Sequence, residues 1–407
     1  MSNVESMDRR IRALFYLFFP GNGSGIGRYT HELLTRMVEL PEVASELVCT
    51  PSCHWQGSAN YPVWPGLREI HHEVPIRRRT RFLLGQAVNP LRLCRRASET
   101  RADVVHLCNI NPLTYPHWKR RLHKSGAKVA ATVQDVWRAK GILNTRFENR
   151  QLSHFYRSAD ALFVHSRQQA GILSGALSVA TEKIHVVPHG PYDYGRPTAD
   201  CNVLRRRYGL PEDKQVVLAF GHVRDDKNLG LLMEALRGFG EETHLLVAGR
   251  AAGGRHQGIE HYQRLAQRLD MDRNVTFLNR FIPDVEVPDL FAASSWIALP
   301  YSGSFSSQSG VLNVAVHYGR PVLVSRTGGL AEAVEDFDVG VAVAPDDLPA
   351  LVDGIARIVR QTASGHTYEF ERYTTTHNWN ETARRTAEVY RALLGRTLRS
   401  HAVPVGR

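Results

Sequence analysis

The chain has 407 residues, a formal net charge of +11 and five cysteines, with 43% hydrophobic and 22% charged residues. These proportions are ordinary for a folded protein and exclude intrinsic disorder, a collagen-like chain and a disulfide-stapled scaffold. At about 150 residues per domain, the length predicts two domains or slightly more, each with its own core. Two domains imply a cleft, where ligands commonly bind.

No apolar run reaches the ~18 residues that a membrane-spanning helix needs. Charged side chains precede the first apolar run, which is short and β-like rather than the apolar core of an export signal. We therefore expect a cytoplasmic protein. The cysteines form no C-x-x-C pair and have no histidine at zinc-ligand spacing, which predicts reduced thiols and no metal site. They are Cys49, Cys53, Cys94, Cys108 and Cys201.

The positive charge is concentrated in the first half of the chain. Residues 1–190 contain 26 Lys and Arg against 14 Asp and Glu, whereas the remainder contains 25 against 26. This asymmetry indicates an anionic partner for the first half, which can be a membrane surface, a nucleic acid or a phosphorylated substrate.

Short apolar β-type runs alternate with longer amphipathic stretches, which favours βα units on parallel sheets. The strands predicted in the first half are residues 11–19, 46–50, 104–107, 128–133, 161–165 and 183–187. Those predicted in the second half are residues 215–220, 244–248, 274–277, 295–299, 321–325 and 340–343. The expected fold class is therefore α/β, with two doubly wound sheets.

A connector at residues 188–200, with three prolines and two glycines, separates the two halves. The predicted domains are residues 1–190 and 191–376. Residues 377–407 follow the last strand, and residues 380–394 repeat apolar positions at helical spacing. We expect this helix to return to the first domain.

A glycine-rich loop follows the first predicted strand, with glycines at positions 21, 23, 25 and 27 directly before a helix. Gly25 and Gly27 allow a ligand to approach the backbone, and the helix N-terminus favours an anion. The loop lacks the G-x-G-x-x-G spacing and a later acidic partner, which disfavours a dinucleotide site. A tight strand-to-helix turn without a ligand is the alternative.

Two cations stand three residues apart after the first strand of the second half. Gly221 ends the strand, Arg224 and Lys227 follow, and a helix begins near Asn228. Cations at the carboxyl edge of a parallel sheet suit a diphosphate. The alternative is a solvated loop in which neighbouring acidic residues, Asp225 and Asp226, pair with both cations.

A serine- and glycine-rich loop at residues 300–309 opens a predicted helix over residues 308–318. Hydroxyl and amide groups at the start of this helix form a possible anion cradle, although serines there are often simple caps. The candidates are Ser306, Ser307, Ser309, Gly310 and Val311. Farther on, Glu332 is placed to accept ribose or sugar hydroxyls, or to stabilise a helix start.

These segments together resemble the retaining glycosyltransferases of the GT-B fold, specifically the group 1, family 4 class that uses nucleotide sugars. The matching segments are residues 21–27, 103–109, 159–167, 186–190, 220–228, 244–249, 274–294 and 307–332. The resemblance implies two Rossmann-like domains facing a cleft. It assigns the acceptor mainly to residues 1–190 and the nucleotide-sugar donor mainly to residues 191–376.

The resemblance also implies roles for individual residues. Arg224 and Lys227 match the pair that grips the donor diphosphate, and Gln134 stands at the position of an active-site histidine. The matching donor-binding positions are Gly25, Gly27, Gly221, Ser309, Gly310, Val311 and Glu332. Asn109 and Asp135 fall at positions that face the acceptor or the transferred sugar.

Two departures from the family pattern stand out. The usual pair of glutamates, eight positions apart, aligns with Ser306 and Val314, so both carboxylates are missing. Gln134 can hydrogen-bond a sugar hydroxyl but cannot take a proton. The family's mechanism tolerates this, because the leaving diphosphate itself accepts the acceptor's proton. The protein then mainly stabilises charge on the leaving group.

The resemblance predicts transfer of a hexose from a GDP- or UDP-linked donor to a hydroxyl acceptor, with no cofactor or metal required. The expected setting is the synthesis of surface polysaccharide, lipopolysaccharide or glycolipid. One alternative is a non-catalytic protein of the same fold that binds nucleotide sugars or glycans. Another is a GT-B-like epimerase or phosphorylase.

The segment Arg68–Arg96 is rich in arginine and contains interspersed leucines, which suits an anionic membrane surface and a lipid-linked acceptor. Its arginines are Arg68, Arg77, Arg78, Arg79, Arg81, Arg92, Arg95 and Arg96. The alternative is a solvated basic face, because Pro90 is expected to interrupt a continuous amphipathic helix. No recognition motif accompanies the charge, so nucleic acid is not expected as a partner. The location predicted from the membrane interpretation is peripheral, on the inner face of the plasma membrane.

Overall fold

The structure is a computed structural model, which describes residues 10–18, 25–53, 55, 57–70, 75–110, 115–137, 144–251 and 256–395. Up to residue 188 the elements are β1 (Ile11–Tyr16), α1 (Gly25–Met37), β2 (Val43–Val48), β3 (Val63–Trp64), α2 (Pro75–Thr100), β4 (Val104–Leu107), α3 (Tyr115–Lys124), β5 (Lys128–Thr132), α4 (Thr145–Ser158), β6 (Ala161–Val164), α5 (Arg167–Gly171) and β7 (Ile184–Val186).

The later elements are α6 (Cys201–Tyr208), β8 (Gln215–Phe220), α7 (Leu229–Leu236), β9 (Thr243–Ala248), α8 (Ile259–Arg268), β10 (Val275–Leu278), α9 (Val287–Ala293), β11 (Trp296–Leu299), α10 (Gly310–His317), β12 (Val322–Ser325), α11 (Leu330–Phe337), β13 (Gly340–Val343), α12 (Leu348–Ala363), α13 (Phe370–Thr376) and α14 (Trp379–Leu393).

The chain divides into two compact units. Unit 1 comprises Met1–His165, Ala170–Pro188 and Trp379–Arg407, and unit 2 comprises Ser166–Gln169 and His189–Asn378. Helix α14 therefore belongs to the same unit as the first sheet, although about 190 residues of unit 2 precede it in the chain.

Each unit is built on one parallel sheet. The strand order is β3-β2-β1-β4-β5-β6-β7 in unit 1 and β10-β9-β8-β11-β12-β13 in unit 2. In both sheets the chain first moves outward in one direction and then restarts on the other side of the first strand. The order therefore reverses between β1 and β4 and between β8 and β11, and the predicted doubly wound α/β class is confirmed.

Each of the twelve predicted runs overlaps one strand, and the ends differ by at most three residues. The strand missed from sequence is β3, which is only two residues long and partly buried, so it carries almost no periodic signal. Strands β4, β6 and β11 are buried at every position, as expected for strands covered on both faces.

The expectation that Pro90 interrupts the helix was wrong. Helix α2 runs for 26 residues through Pro90. Asn89 fixes this turn from the side, because its Oδ1 accepts from Arg68 N (2.6 Å) and its Nδ2 donates to Arg68 O (3.0 Å). Leu93 and Ala97 are buried in the unit 1 core on the same helix. This anchoring offsets the backbone hydrogen bond that the proline removes.

Helix α14 is held in unit 1 by a buried polar network. Tyr390 OH hydrogen-bonds to His106 Nδ1 at 2.5 Å, and His106 Nε2 to Thr132 Oγ1 at 2.7 Å. At the other end of the helix, Thr382 Oγ1 donates to Pro188 O (2.9 Å). Burial lowers the pKa of His106 to about 3, so its imidazole is neutral and can accept one hydrogen bond while donating another.

Replacing Tyr390 with Phe removes the partner of a buried imidazole nitrogen, which costs ~1–3 kcal/mol. We expect faster hydrogen exchange, measured by mass spectrometry, in β4, β5 and α14. Tyr373→Phe is the matched control, because it removes a phenol that donates to Asn313 Oδ1 in unit 2 (2.6 Å). Faster exchange confined to unit 2 in both variants would contradict this account of α14.

Candidate donor-diphosphate site

The candidate site of unit 2 lies where the strand order reverses. Strands β8 and β11 are neighbours there, with Trp296 opposite Val217, and their carboxyl ends lead into two loops. Open α/β sheets bind ligands at such a point, outside the carboxyl ends of the strands. One loop carries the two predicted cations, and the other leads to α10. A cavity opens between them, and its lining includes Gly221, Lys227 and Tyr301.

Lys227 is held against the end of β8. Its Nζ donates to Phe220 O at 2.8 Å and lies 5.7 Å from the ring centroid of Tyr301. Gly221 has φ +89°, and a Cβ at this position would lie 3.1 Å from Lys227 Nζ, so only glycine fits comfortably here. Burial, followed by the charge of Arg224, lowers the pKa of Lys227 to about 7, and Asp226 acts in the opposite direction.

Arg224 lies on the same loop, and only part of its guanidinium pairs with neighbouring residues. Its Nη2 is 3.1 Å from Asp226 Oδ2, and the side chain is 40% exposed. Its Nε–H is buried without a hydrogen-bond partner among the residues that the structure describes. Arg224 therefore has an unused donor beside a lysine whose protonated form is destabilised by burial. A bound anion would satisfy the guanidinium and stabilise the charged lysine.

The second loop brings hydroxyl groups and a helix start to the same strand ends. Tyr301 lies two residues after the end of β11, is buried, and shares a hydrogen bond with Ser309 Oγ (3.3 Å). Ser309 is the residue before α10, whose first positions are Gly310 and Val311. A Cβ on Gly310 would lie 2.9 Å from Tyr192 Cε2, which explains the glycine at this helix start.

Asp346 fastens the two loops to each other. Its Oδ1 accepts from Asn228 Nδ2 (2.7 Å), beside the cations, and its Oδ2 accepts from Gly303 N (2.8 Å). Ser302 N also donates to Asp226 O (2.9 Å). Sequence reasoning missed Asp346 because it follows the distant strand β13. It also missed Tyr301, although its position two residues after a buried strand was an available signal.

Glu332 has a different environment from the cations. Its carboxylate accepts from the backbone N–H groups of Arg167 (2.9 Å) and Gln168 (2.8 Å), so it caps the start of α5. In return, Gln168 Oε1 accepts from Gly329 N (2.7 Å). Of the two roles expected from sequence, helix-start stabilisation is the one for which this geometry provides partners. The two predicted cations are not among the hydrogen-bond or ion-pair partners of Glu332 in the described structure, and its nearest cation is Arg167, with Nε at 3.8 Å.

The predicted residues of unit 1 gather at the equivalent sheet edge. Gly25 and Gly27 begin α1 after β1, and Gly27 is buried, whereas Gly21 and Gly23 lie outside the described residues. Asn109 follows β4, and its Oδ1 accepts from Phe18 N (2.9 Å), joining the ends of β1 and β4.

The next strand along, β5, leads to the last two predicted residues. Gln134 is partly buried and Asp135 is exposed. The carbonyl oxygen of Asp135 accepts from Tyr156 OH (3.1 Å), which fixes the backbone and leaves the carboxylate exposed. The described residues contain no cluster of three or more His, Cys, Asp or Glu side chains that could share a metal ion.

Comparison with known proteins shows the family and the fold of the chain. A family model described as Glycosyltransferase Family 4 matches residues 23–191, and one described as Glycosyl transferases group 1 matches residues 214–361. Sucrose-phosphate synthase from Thermosynechococcus elongatus superposes with a TM-score of 0.76 at 20% identity, covering 95% of this chain and 100% of that one. HepE from Anabaena, solved with UDP, gives 0.73 at 17%, covering 94% and 100%.

The fold is therefore GT-B, and the chain belongs to the group 1, family 4 glycosyltransferases. Among relatives by sequence, a D-inositol 3-phosphate glycosyltransferase of Nocardioides sp. is 30% identical over 255 residues, covering 58% of this chain and 54% of the relative. Another from Streptomyces scabiei is 29% identical over 260 residues, covering 58% and 55%. The chain thus spans about half the length of these relatives.

The depressed pKa of Lys227 predicts a stability cost at this site. An unfolded lysine titrates near 10.4, so between pH 7 and 10.4 the unfolded chain binds more protons, and stability from this group rises with pH. The full cost is felt below pH 7. Lys227→Met should therefore raise the Tm of the ligand-free protein at pH 6 by at least ~2 °C.

The increase in Tm caused by Lys227→Met should become smaller towards pH 10. Differential scanning calorimetry of both proteins at pH 6, 8 and 9.5 measures this increase. Lys214→Met is the control, because the Lys214 ammonium donates to Gly240 O and Asn274 Oδ1. Lys214 precedes β8, whereas residues 221–228, the cation loop, follow it. An equal or lower Tm for Lys227→Met at pH 6 would show that the site imposes no such cost.

Proposed function

We propose that this protein is a retaining glycosyltransferase that moves a hexose from a UDP- or GDP-linked donor to a hydroxyl group of a glycan or lipid-linked acceptor. The observation that carries the proposal is the pair Arg224 and Lys227 at the sheet switch point of unit 2, opposite the start of α10. The structural neighbour HepE, solved with UDP and with UDP-glucose, supports a nucleotide-sugar donor.

In the proposed mechanism the protein stabilises the departing diphosphate. Breaking the bond from the sugar to the phosphate places negative charge on the phosphate oxygens, and Arg224 and Lys227 neutralise it. The amides at the start of α10 lie at the positive end of the helix dipole and add to this effect. Such preorganised donors act without a metal ion and contribute most when charge develops in the transition state.

Retention of configuration follows if the diphosphate oxygen itself takes the proton of the acceptor hydroxyl on the same face of the sugar. The proton leaves the acceptor oxygen, the new glycosidic bond forms there, and the diphosphate departs protonated. Gln134 supports this route, because an amide at this position can orient a sugar hydroxyl but cannot act as a base. Ser306 and Val314 stand where the family has two glutamates, so neither position supplies a carboxylate base.

The acceptor proposal rests on charge. The sequence that contributes most of unit 1 has a large excess of Lys and Arg, which favours an anionic acceptor. A lipid-linked acceptor in surface polysaccharide, lipopolysaccharide or glycolipid synthesis fits this chemistry. A polyol phosphate is a second candidate, because relatives are named D-inositol 3-phosphate glycosyltransferases. A phosphate group on either acceptor would be attracted by the excess of Lys and Arg in this part of the chain.

Lys227→Ala tests the proposed chemistry. Loss of one preorganised donor to a developing oxyanion costs on the order of 2.7–4 kcal/mol, so turnover should fall at least ~100-fold. The measurement is release of UDP or GDP from the corresponding hexose donors, with circular dichroism to verify folding. Arg206→Ala is the control, because Arg206 pairs with Glu212 on the surface of the same unit, away from the cation loop.

Near-normal turnover in Lys227→Ala would overturn the assignment. A wild-type protein that binds the donor but neither hydrolyses nor transfers it would support the non-catalytic alternative. Isomerisation of the donor, or release of inorganic phosphate, would support an epimerase or phosphorylase.

Helix α2 supports the proposed membrane contact. Positions 77, 81, 84, 91 and 95 share one helical face, all are exposed, and they place Leu84 and Leu91 between arginines. Apolar side chains flanked by cations suit the headgroup region of an anionic leaflet. Among the described residues, no helix is long and apolar enough to cross a bilayer. The exposed leucines and arginines of α2 are the basis on which we propose peripheral binding at the inner face of the plasma membrane.

Sedimentation with phosphatidylglycerol-containing vesicles tests this contact. Replacing both Leu84 and Leu91 with Asp should reduce the bound fraction at least ~10-fold, because it removes apolar contact and adds negative charge. Val203→Asp is the matched control, since Val203 is equally exposed on α6 in unit 2. Failure of the wild-type protein to bind at low salt, or equal binding by the double variant, would remove the membrane proposal.

A further inference from the structure

Two neighbouring carboxylates lie on the cation loop, and they have different partners. Asp225 Oδ1 accepts from Gln257 N (2.9 Å), and its Oδ2 lies 3.4 Å from His256 Nδ1, so this residue anchors the segment that follows β9. Asp226 faces the cations, with Oδ2 3.1 Å from Arg224 Nη2. Although Asp225 and Asp226 are adjacent in sequence, Asp225 contacts the segment after β9 and Asp226 contacts Arg224.

Asp226 is poorly satisfied for a carboxylate. Its Oδ1 is buried and accepts no hydrogen bond within the described part of the chain. Its side chain is 31% exposed, and one guanidinium donor is its charged partner. A carboxylate in this position disfavours binding of a second anion to the same guanidinium. The two negative charges would lie closer together than a Debye length, so salt would screen their repulsion only weakly.

Arg224 retains the donors that an anion needs. A guanidinium carries five N–H groups in one plane, and the ion pair with Asp226 involves Nη2. The Nε–H remains buried and without a partner in the described structure. An incoming diphosphate can therefore bind Arg224 and compete with Asp226 for it, with the charge of Lys227 nearby.

We propose that Asp226 is an internal counter-ion of the diphosphate site, which holds Arg224 in the ligand-free protein and lowers the affinity for the donor and for the nucleoside diphosphate product. The inference rests on the proposed function, because it assumes that Arg224 binds the diphosphate. Its consequence is faster release of product, since a carboxylate beside the leaving group weakens retention of the nucleoside diphosphate after transfer.

The Asp226→Asn variant tests this inference. Asn keeps an oxygen that can accept from Arg224 but removes the negative charge. We expect roughly two- to fivefold tighter binding of UDP or GDP, the effect typical of a partly exposed charge pair. Isothermal titration calorimetry at low salt measures it at pH 6 and at pH 5. Lys227, with its pKa of about 7, is mostly protonated in the wild-type protein at both values, and the lower pH offsets the fall in this pKa that the loss of Asp226 causes.

Two comparisons separate charge from general effects. Asp225→Asn is the matched control and should bind the same nucleotides within twofold of the wild-type protein. Uridine and guanosine, which lack phosphate, should bind the wild-type protein and Asp226→Asn equally. The advantage of Asp226→Asn should also decline in 0.5 M salt. Should Asp226→Asn fail to fold, Asp226→Ser provides the same loss of charge with a hydroxyl in its place.

The possible outcomes have distinct meanings. Tighter binding of the diphosphates by Asp226→Asn alone, lost at high salt, supports the counter-ion. Equal or weaker binding by Asp226→Asn, while the wild-type protein binds normally, overturns this inference and leaves the proposed function standing. Absence of nucleoside diphosphate binding by the wild-type protein overturns the proposed function and this inference with it.

Discussion

The candidate site depends on keeping an ammonium group where solvation is poor. The Lys227 ammonium donates to one backbone carbonyl and lies near the ring of Tyr301. Burial and the nearby charge of Arg224 lower its pKa to about 7. A cation in this environment gains more from a bound anion than one in water does, because its existing solvation is weak. The buried tyrosine, the glycine at 221 and the Asp346 fastening maintain this environment.

The parallel sheets explain why these groups meet. In each unit the strand order reverses beside the first strand, so the loops after two neighbouring strands diverge and leave their backbone groups accessible. In unit 2 these loops supply the cations and the start of α10. In unit 1 they supply Asn109 and the helix start at Gly25. The chain thus repeats one topological solution with different side chains.

Sequence analysis predicted twelve of the thirteen described strands, the fold class and the position of the two cations after β8, because each depends on local pattern or on short spacing. Apolar runs bounded by glycine and proline mark buried strands, and Arg224 and Lys227 directly follow one of them. The partner of Glu332 and the role of Asp346 could not be predicted, because they depend on backbone atoms more than 40 residues away. The continuity of α2 through Pro90 likewise depends on the contact of Asn89 with Arg68, which no helical pattern encodes.

The most direct test of the central claim is the contribution of the second phosphate to binding. Isothermal titration calorimetry with a nucleoside, its monophosphate and its diphosphate isolates this contribution in the wild-type protein and in Arg224→Ala. If Arg224 and Lys227 form a diphosphate site, UDP or GDP binds at least ~10-fold more tightly than UMP or GMP, respectively. Arg224→Ala then loses most of this gain. Equal affinities for mono- and diphosphate, or a gain that survives in Arg224→Ala, would contradict the account.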